Sequence, residues 1–236
     1  PDRDFDPTEV SVPWRTLTDA GHDVVFATER GVRAHCDPLM ITGVVFGKLG
    51  ATPENVAHYR ALERDARFER PITYDAIVPH EYAALLLPGG HAKGMRQYLE
   101  SKTLQERTRA FLDDNKLVGA ICHGGVALVR SGKAAGRKMT ALPKWMERLA
   151  YYATAWKVGD YYRTYPEYVE DECRRLIGDT ASDRTVDATV RRFEPGPLFS
   201  MDYDKPFVVE DANLVTARWP GDAKAFGAKL VERLAR

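Results

Sequence analysis

The chain has 236 residues, with 34 basic and 34 acidic side chains and so no formal net charge. That balance leaves no whole-molecule field to draw in nucleic acid or an anionic membrane, and neither is expected as a partner. The length suits one sizeable α/β domain with an ample core and hardly two, so residues 1–236 are read as a single domain. The three cysteines, Cys36, Cys122 and Cys173, form no CxxC pair. This argues against a zinc site or a disulfide framework, and for a reducing, cytoplasmic setting. The longest apolar runs are strand-sized and the first residues are acidic and polar, so neither a membrane span nor an export signal is read.

In chain order, Asp6-Pro7-Thr8-Glu9 reads as a helix start: Asp6 as N-cap, Pro7 at the first helical position and Glu9 three residues after the cap. The helix is expected to end near Gly21, followed by a buried strand over residues 22–28. Residues 29–52 read as loop, residues 53–68 as a helix capped by Thr52, and residues 72–78 as a short strand. Residues 83–91, AALLLPGGH, give an apolar strand stopped by Pro88 and two glycines. Residues 103–116 are amphipathic at helical spacing and should lie on the sheet. Residues 117–132 then give a strand, an abrupt turn and a helix. Residues 143–178 break the alternation with two helical stretches rich in Trp and Tyr, taken as an insertion or cap. Two strands within 207–219, turning at 211–213, and a closing helix over 221–234 complete the chain. Alternating strands and helices of these lengths predict a mainly parallel sheet covered on both faces, with ligands at the carboxyl ends of its strands.

Cys122 falls at such an end. In Ala120-Ile121-Cys122-His123-Gly124-Gly125 a cysteine stands between a buried strand and a helix, with glycines that let the backbone turn tightly, which is the pattern of a nucleophile elbow. The helix that follows should favour the thiolate and lower the thiol pKa. A free cysteine is more often a small buried hydrophobe; the strand, elbow and glycine context favours reactivity here. Gly89 and Gly90 end the preceding strand at the same sheet edge, where their amides, with that of Gly124, could stabilise an oxyanion or form an ordinary turn. His91 is a pocket donor or a solvated turn residue. The backbone N–H of His123 is the firmer expectation for the oxyanion site, since adjacent side chains rarely face each other. Glu147 and Asp160 are the acidic residues that could partner the imidazole. Trp145, Tyr151, Tyr152, Trp156, Tyr161, Tyr162, Tyr165 and Tyr168 could roof the pocket or pack a cap or dimer interface.

LLLPGGHAKGM at 85–95, AICHGGVAL at 120–128 and DANLVTARWPGDAKAFGAKLVERL at 211–234 together resemble the ThiJ/PfpI superfamily, the DJ-one class, over nearly the whole chain. The nearest likeness is to its bacterial chaperone and glyoxalase III-like members. The resemblance implies a flavodoxin-like three-layer sandwich, a homodimer, and an acidic residue on the first helix that contacts the cysteine, here Glu9. Without it, Glu9 reads as a capping-box residue reaching back to Asp6. With it, Glu9 is a partly protonated carboxyl beside the thiol.

The family's first central strand precedes the acidic helix, yet by PDRDFDPTE that strand should already have ended. Either further residues precede Pro1 or the sheet is short, and unpaired edges favour the former. The leading expectation is a cofactor-free, metal-free enzyme in which Cys122, Glu9 and His123 convert methylglyoxal or a related electrophilic 2-oxoaldehyde to a 2-hydroxy acid. Isonitrile hydration, amide or peptide hydrolysis, and a non-enzymatic chaperone or redox sensor are the rivals.

Overall fold

The computed structural model describes residues 1–179, 192–197 and 205–236. Strand β1 (Arg3–Phe5) runs into helix α1 (Pro7–Asp19), whose cap is the expected one: Asp6 Oδ1 accepts from the Thr8 and Glu9 amides at 2.8 and 3.1 Å. β2 (Ala27–Thr28), β3 (His35–Cys36), α2 (Pro38–Thr42), α3 (Pro53–Leu62), α4 (Ala66–Glu69) and β4 (Ile72–Thr73) follow. Then come β5 (Ala84–Leu87), α5 (Arg96–Glu100), α6 (Lys102–Asp113), β6 (Leu117–Ile121) and α7 (Gly124–Arg130). α8 (Lys144–Val158) and α9 (Val169–Ile177) are the two consecutive helices of the aromatic stretch, and β7 (Val208–Asp211), β8 (Leu214–Ala217) and α10 (Ala223–Leu234) close the chain.

Four strands form one sheet in the order β5-β6-β8-β7, parallel except for the β7–β8 hairpin. All five residues of β6 are buried, as a parallel strand covered on both faces requires. Helix α1 packs on α3 and α10, while α7 packs on α5, α6 and α9. This gives the mixed, mainly parallel α/β sandwich that the sequence predicts. Among the described residues no helix is long and apolar enough to cross a membrane.

Several expectations are corrected. The strand over 22–28 shrinks to Ala27–Thr28, and the one over 72–78 to Ile72–Thr73; these pair only with each other. The helix over 53–68 breaks after Leu62, because Asp65 caps a new turn through the Arg67 and Phe68 amides. The loop over 29–52 contains β3 and α2. The strand thought to have ended before the first helix survives as β1, parallel to β3. An apolar cavity of about 380 Å³ is lined by Phe26 and Ala27, by Leu85, Leu86 and Leu87, and by Pro1. The backbone edges of β2 and β5 are therefore not joined, and the short strands follow from that: a strand without a neighbour has no ladder to hold it extended.

Candidate active site

Cys122 sits at the carboxyl end of β6 with φ of 57°, in the left-handed region that non-glycine residues rarely occupy. Two bonds hold it there: its N–H donates to Ala217 O at 3.0 Å, and its carbonyl accepts from Gly125 N at 3.1 Å. The surroundings over-determine the strain, as they must for it to persist. Gly124 allows the close approach of α7 to β5, since a Cβ there would stand 1.9 Å from Leu87 O. Its requirement is thus steric. Cys122 is 1% exposed.

Glu9, on the first turn of α1 and also buried, does not cap its own helix. The Asp6 N–H it would have reached donates instead to Gly89 O at 2.9 Å, and Glu9 Oε2 accepts from Gly89 N at 2.9 Å. The carboxyl also interacts with the Cys122 thiol. Only a glycine fits between the two, because a Cβ on Gly89 would lie 2.8 Å from Glu9 Oε2 and 2.9 Å from Cys122 Cβ. The Gly89 amide is therefore not a free oxyanion donor, as expected from sequence, but the clamp on Glu9. Gly90 is fixed by the approach of β1, where a Cβ would meet Asp4 O at 2.6 Å.

The electrostatics differ from the sequence reading. Burial, followed by the neighbouring Glu9 and Asp6 carboxylates, pushes the Cys122 thiol well above its ordinary range, although the His123 backbone N–H partly opposes this. The expected lowering by the α7 terminus is outweighed, since desolvation disfavours the charged form and, among the described residues, the charges that act on the sulfur are those of carboxylates. Burial and the Asp6 charge likewise raise Glu9 well above a usual carboxylate. Asp6 itself is raised to about 6 by burial. Glu9 and Cys122 thus titrate as a coupled pair, each holding its proton more tightly than in water. A thiolate forms when an ionised Glu9 takes the thiol proton.

His123 comes closer to the thiol than adjacency suggested: its Nδ1 lies 3.6 Å from Cys122 Sγ. Its Nε2 is buried with no hydrogen-bond partner among the described residues, so no acidic group completes a triad. Glu147 instead accepts from Val169 N and Arg163, and Asp160 pairs with Lys93. Desolvation keeps both imidazoles neutral, driving His123 well below its ordinary value and His91 to about 4. The His91 ring stands 4.8 Å from that of His123, edge to face, so His91 joins the site rather than a solvated turn. Among the described residues, His91, Cys122 and His123 also form the one cluster whose ligating atoms, all within 4.8 Å, suit a metal ion.

The aromatic stretch divides. Tyr162 adjoins His91 at 6.2 Å, and both Tyr161 and Tyr162 donate to Asp37. Tyr165 stacks on Arg130 and bonds Glu100, while Tyr152 and Trp156 are exposed. Sequence reasoning missed Asp6 as an electrostatic neighbour of the thiol, having assigned its oxygen to capping alone. Tyr162 carried no signal that set it apart from the tyrosines around it. Cys36 and Cys173 are free and buried; Cys173 packs against the elbow helix, its Sγ 3.7 Å from where a Cβ on Gly125 would stand.

The description "ThiJ/PfpI family-like" matches residues 1–184. A deglycase of Pyrococcus horikoshii is 31% identical over 141 residues, which is 59% of this chain and 68% of that protein. The protein/nucleic acid deglycase 2 of Escherichia coli is 30% identical over 140 residues, 59% of this chain and 66% of its own length. The chain spans about two thirds of the length of such curated relatives. Among solved structures, glyoxalase III of Candida albicans superposes with a TM-score of 0.68 at 18% identity, over 97% of this chain and 87% of that one. A 24 kDa rapid encystment protein of Francisella tularensis gives 0.69 at 16% identity, over 98% and 89%. Matched by the family description over more than half of its residues, and by these neighbours over its fold, the chain belongs to the ThiJ/PfpI family.

Proposed function

We propose that the protein is a cofactor-independent enzyme in which Cys122 adds to the aldehyde carbon of methylglyoxal or a related 2-oxoaldehyde and Glu9 and His123 move the protons that turn it into a 2-hydroxy acid. The observation that carries this reading is the buried Glu9 carboxyl, held by Gly89 N–H against the Cys122 thiol. Such a carboxyl takes the thiol proton as the C–S bond forms and returns it to the new alkoxide, giving a neutral hemithioacetal. A base, Glu9 or the neutral His123, then removes the C–H proton of the former aldehyde while the adjoining carbonyl oxygen gains one, giving an enediol. Protonation at the second carbon and loss of the first hydroxyl proton give a thioester. Water cleaves it, releasing the hydroxy acid and restoring the thiol, so the net change is addition of one water.

A second reading, removal of a carbonyl adduct from protein or nucleic acid, is favoured by the names of the deglycase relatives and would use the same thiol. A cytoplasmic homodimer belongs to either reading. The test is lactate formation from methylglyoxal by the native protein, Cys122→Ser and Glu9→Gln, each with an unchanged circular dichroism spectrum. Cys122→Ser should abolish turnover and Glu9→Gln lower it roughly 10²–10⁴-fold. Folded native protein that makes no lactate would sink the first reading, and release of amine from a preformed adduct would then support the second.

A further inference from the structure

Three donor atoms meet at the elbow. Cys122 Sγ, His123 Nδ1 and a ring nitrogen of His91 converge within 4.8 Å, and the first two are 3.6 Å apart. Around a tetrahedral zinc ion, with Zn–S of about 2.3 Å and Zn–N of about 2.0–2.1 Å, a sulfur and a nitrogen ligand stand about 3.6 Å apart. The spacing of the Cys122–His123 pair is thus already that of two zinc ligands, and His91 needs a shift of about 1 Å to complete a three-ligand set.

One thiol and two imidazoles are a donor set for borderline and soft cations, and not for magnesium or calcium. The protonation states agree with this. A neutral imidazole carries one N–H and one lone pair. His123 Nε2 has no partner to pin the tautomer, so its proton can rest there and leave Nδ1 free to bind. The thiol proton has a nearby destination in the buried Glu9 carboxyl. His91 lies on the loop after β5 with its Nε2 buried and without a hydrogen-bond partner among the described residues, beside the covered Cys122 and His123.

We propose that Cys122, His123 and His91 form a site for Zn²⁺ or a similarly thiophilic cation, with one position open, and that occupancy ties up the sulfur and reversibly switches the enzyme off. In binding, the Cys122 S–H bond breaks, its proton passes to Glu9, and the sulfur lone pair enters the metal–sulfur bond with no change of oxidation state. The switching-off rests on the catalytic reading above; the binding itself does not.

Calorimetric titration of the native protein with zinc chloride tests the site without any turnover. One ion should bind per chain, with affinity falling at least on the order of tenfold in both Cys122→Ser and His91→Ala. Cobalt(II) should show a thiolate-to-metal charge-transfer band in the native protein that Cys122→Ser lacks, even where a variant has little activity. Lactate formation, if present, should stop on zinc addition and return with EDTA. No binding by folded native protein overturns the site, as does equal affinity in either variant. Binding without inhibition of an active enzyme would overturn the switch and leave the site standing.

Discussion

Strands β6 and β8 have hydrogen-bonded neighbours on both sides, whereas β1 with β3 and β2 with β4 form two isolated couples, the second beside the apolar cavity. The site straddles the two regions. Cys122 comes from the closed one, at the end of β6, and its strained backbone is held by β8 and the first turn of α7. Glu9 comes from the open one, on α1 behind β1. What joins them is Gly89, whose carbonyl accepts from Asp6 and whose amide donates to Glu9. Packing therefore places the thiol, while two hydrogen bonds to one glycine place the carboxyl.

The difference predicts unequal responses to substitution. The largest effect belongs to the closed region. Gly124→Ala puts a methyl group 1.9 Å from a backbone oxygen that cannot move without shifting β5. A loss of about 3 kcal/mol or more is expected, at the upper end of overpacking costs, with loss of the elbow. Gly136→Ala is the control: its φ of 77° is strained, but nothing lies within 4 Å, so about 1 kcal/mol should be lost. Urea denaturation of both variants compares them directly, and equal costs would mean that the elbow is not the rigid part.

In the open region, filling should stabilise. Ala27→Val and Ala84→Val each add two carbons at positions that line the cavity, at roughly 0.8 kcal/mol per buried carbon less the cost of ordering them. A net gain of about 1 kcal/mol, or roughly 2–4 °C in Tm, is expected from each, and none from Ala27→Ser or Ala84→Ser. Equal Tm values for the Val and Ser variants would show that the cavity does not take up apolar side chains.

Much of the closed region was legible because its signals are local. A five-residue apolar strand followed by Cys-His-Gly-Gly specifies the elbow, and Asp211 to Asn213 specify the hairpin, without reference to anything far away. The open region was not, since the residues over 22–28 carry a strand pattern whose realisation depends on a partner from elsewhere in the chain. The pair of Gly89 and Glu9, 80 positions apart, lay equally beyond local pattern. So did the sign of the thiol shift: the elbow is visible in sequence, but its burial against Glu9 and Asp6 is a tertiary fact, and it outweighs the helix terminus.

The smallest effect tests whether the open region's carboxyl was placed for stability or for chemistry. Glu9 has a folded pKa raised well above the ordinary value of 4.5. The sign follows from linkage: the folded state holds this proton more tightly than the unfolded one, so the stabilising contribution is full below pH 4.5 and is lost as pH rises through the folded pKa. Glu9→Gln keeps an oxygen for the Gly89 amide and removes the titration. Its Tm should therefore fall less than that of the native protein as pH rises from about 4 toward 8, with a cost at neutral pH of about 1 kcal/mol or less. On the proposed reading, the acid limb of kcat/KM should lie above 4.5, because Glu9 must be ionised to take the thiol proton. A variant that loses activity while its Tm becomes less dependent on pH would mark Glu9 as a group held against its own stability for the proton it can carry; a variant that simply unfolds would make it part of the seam between the two regions.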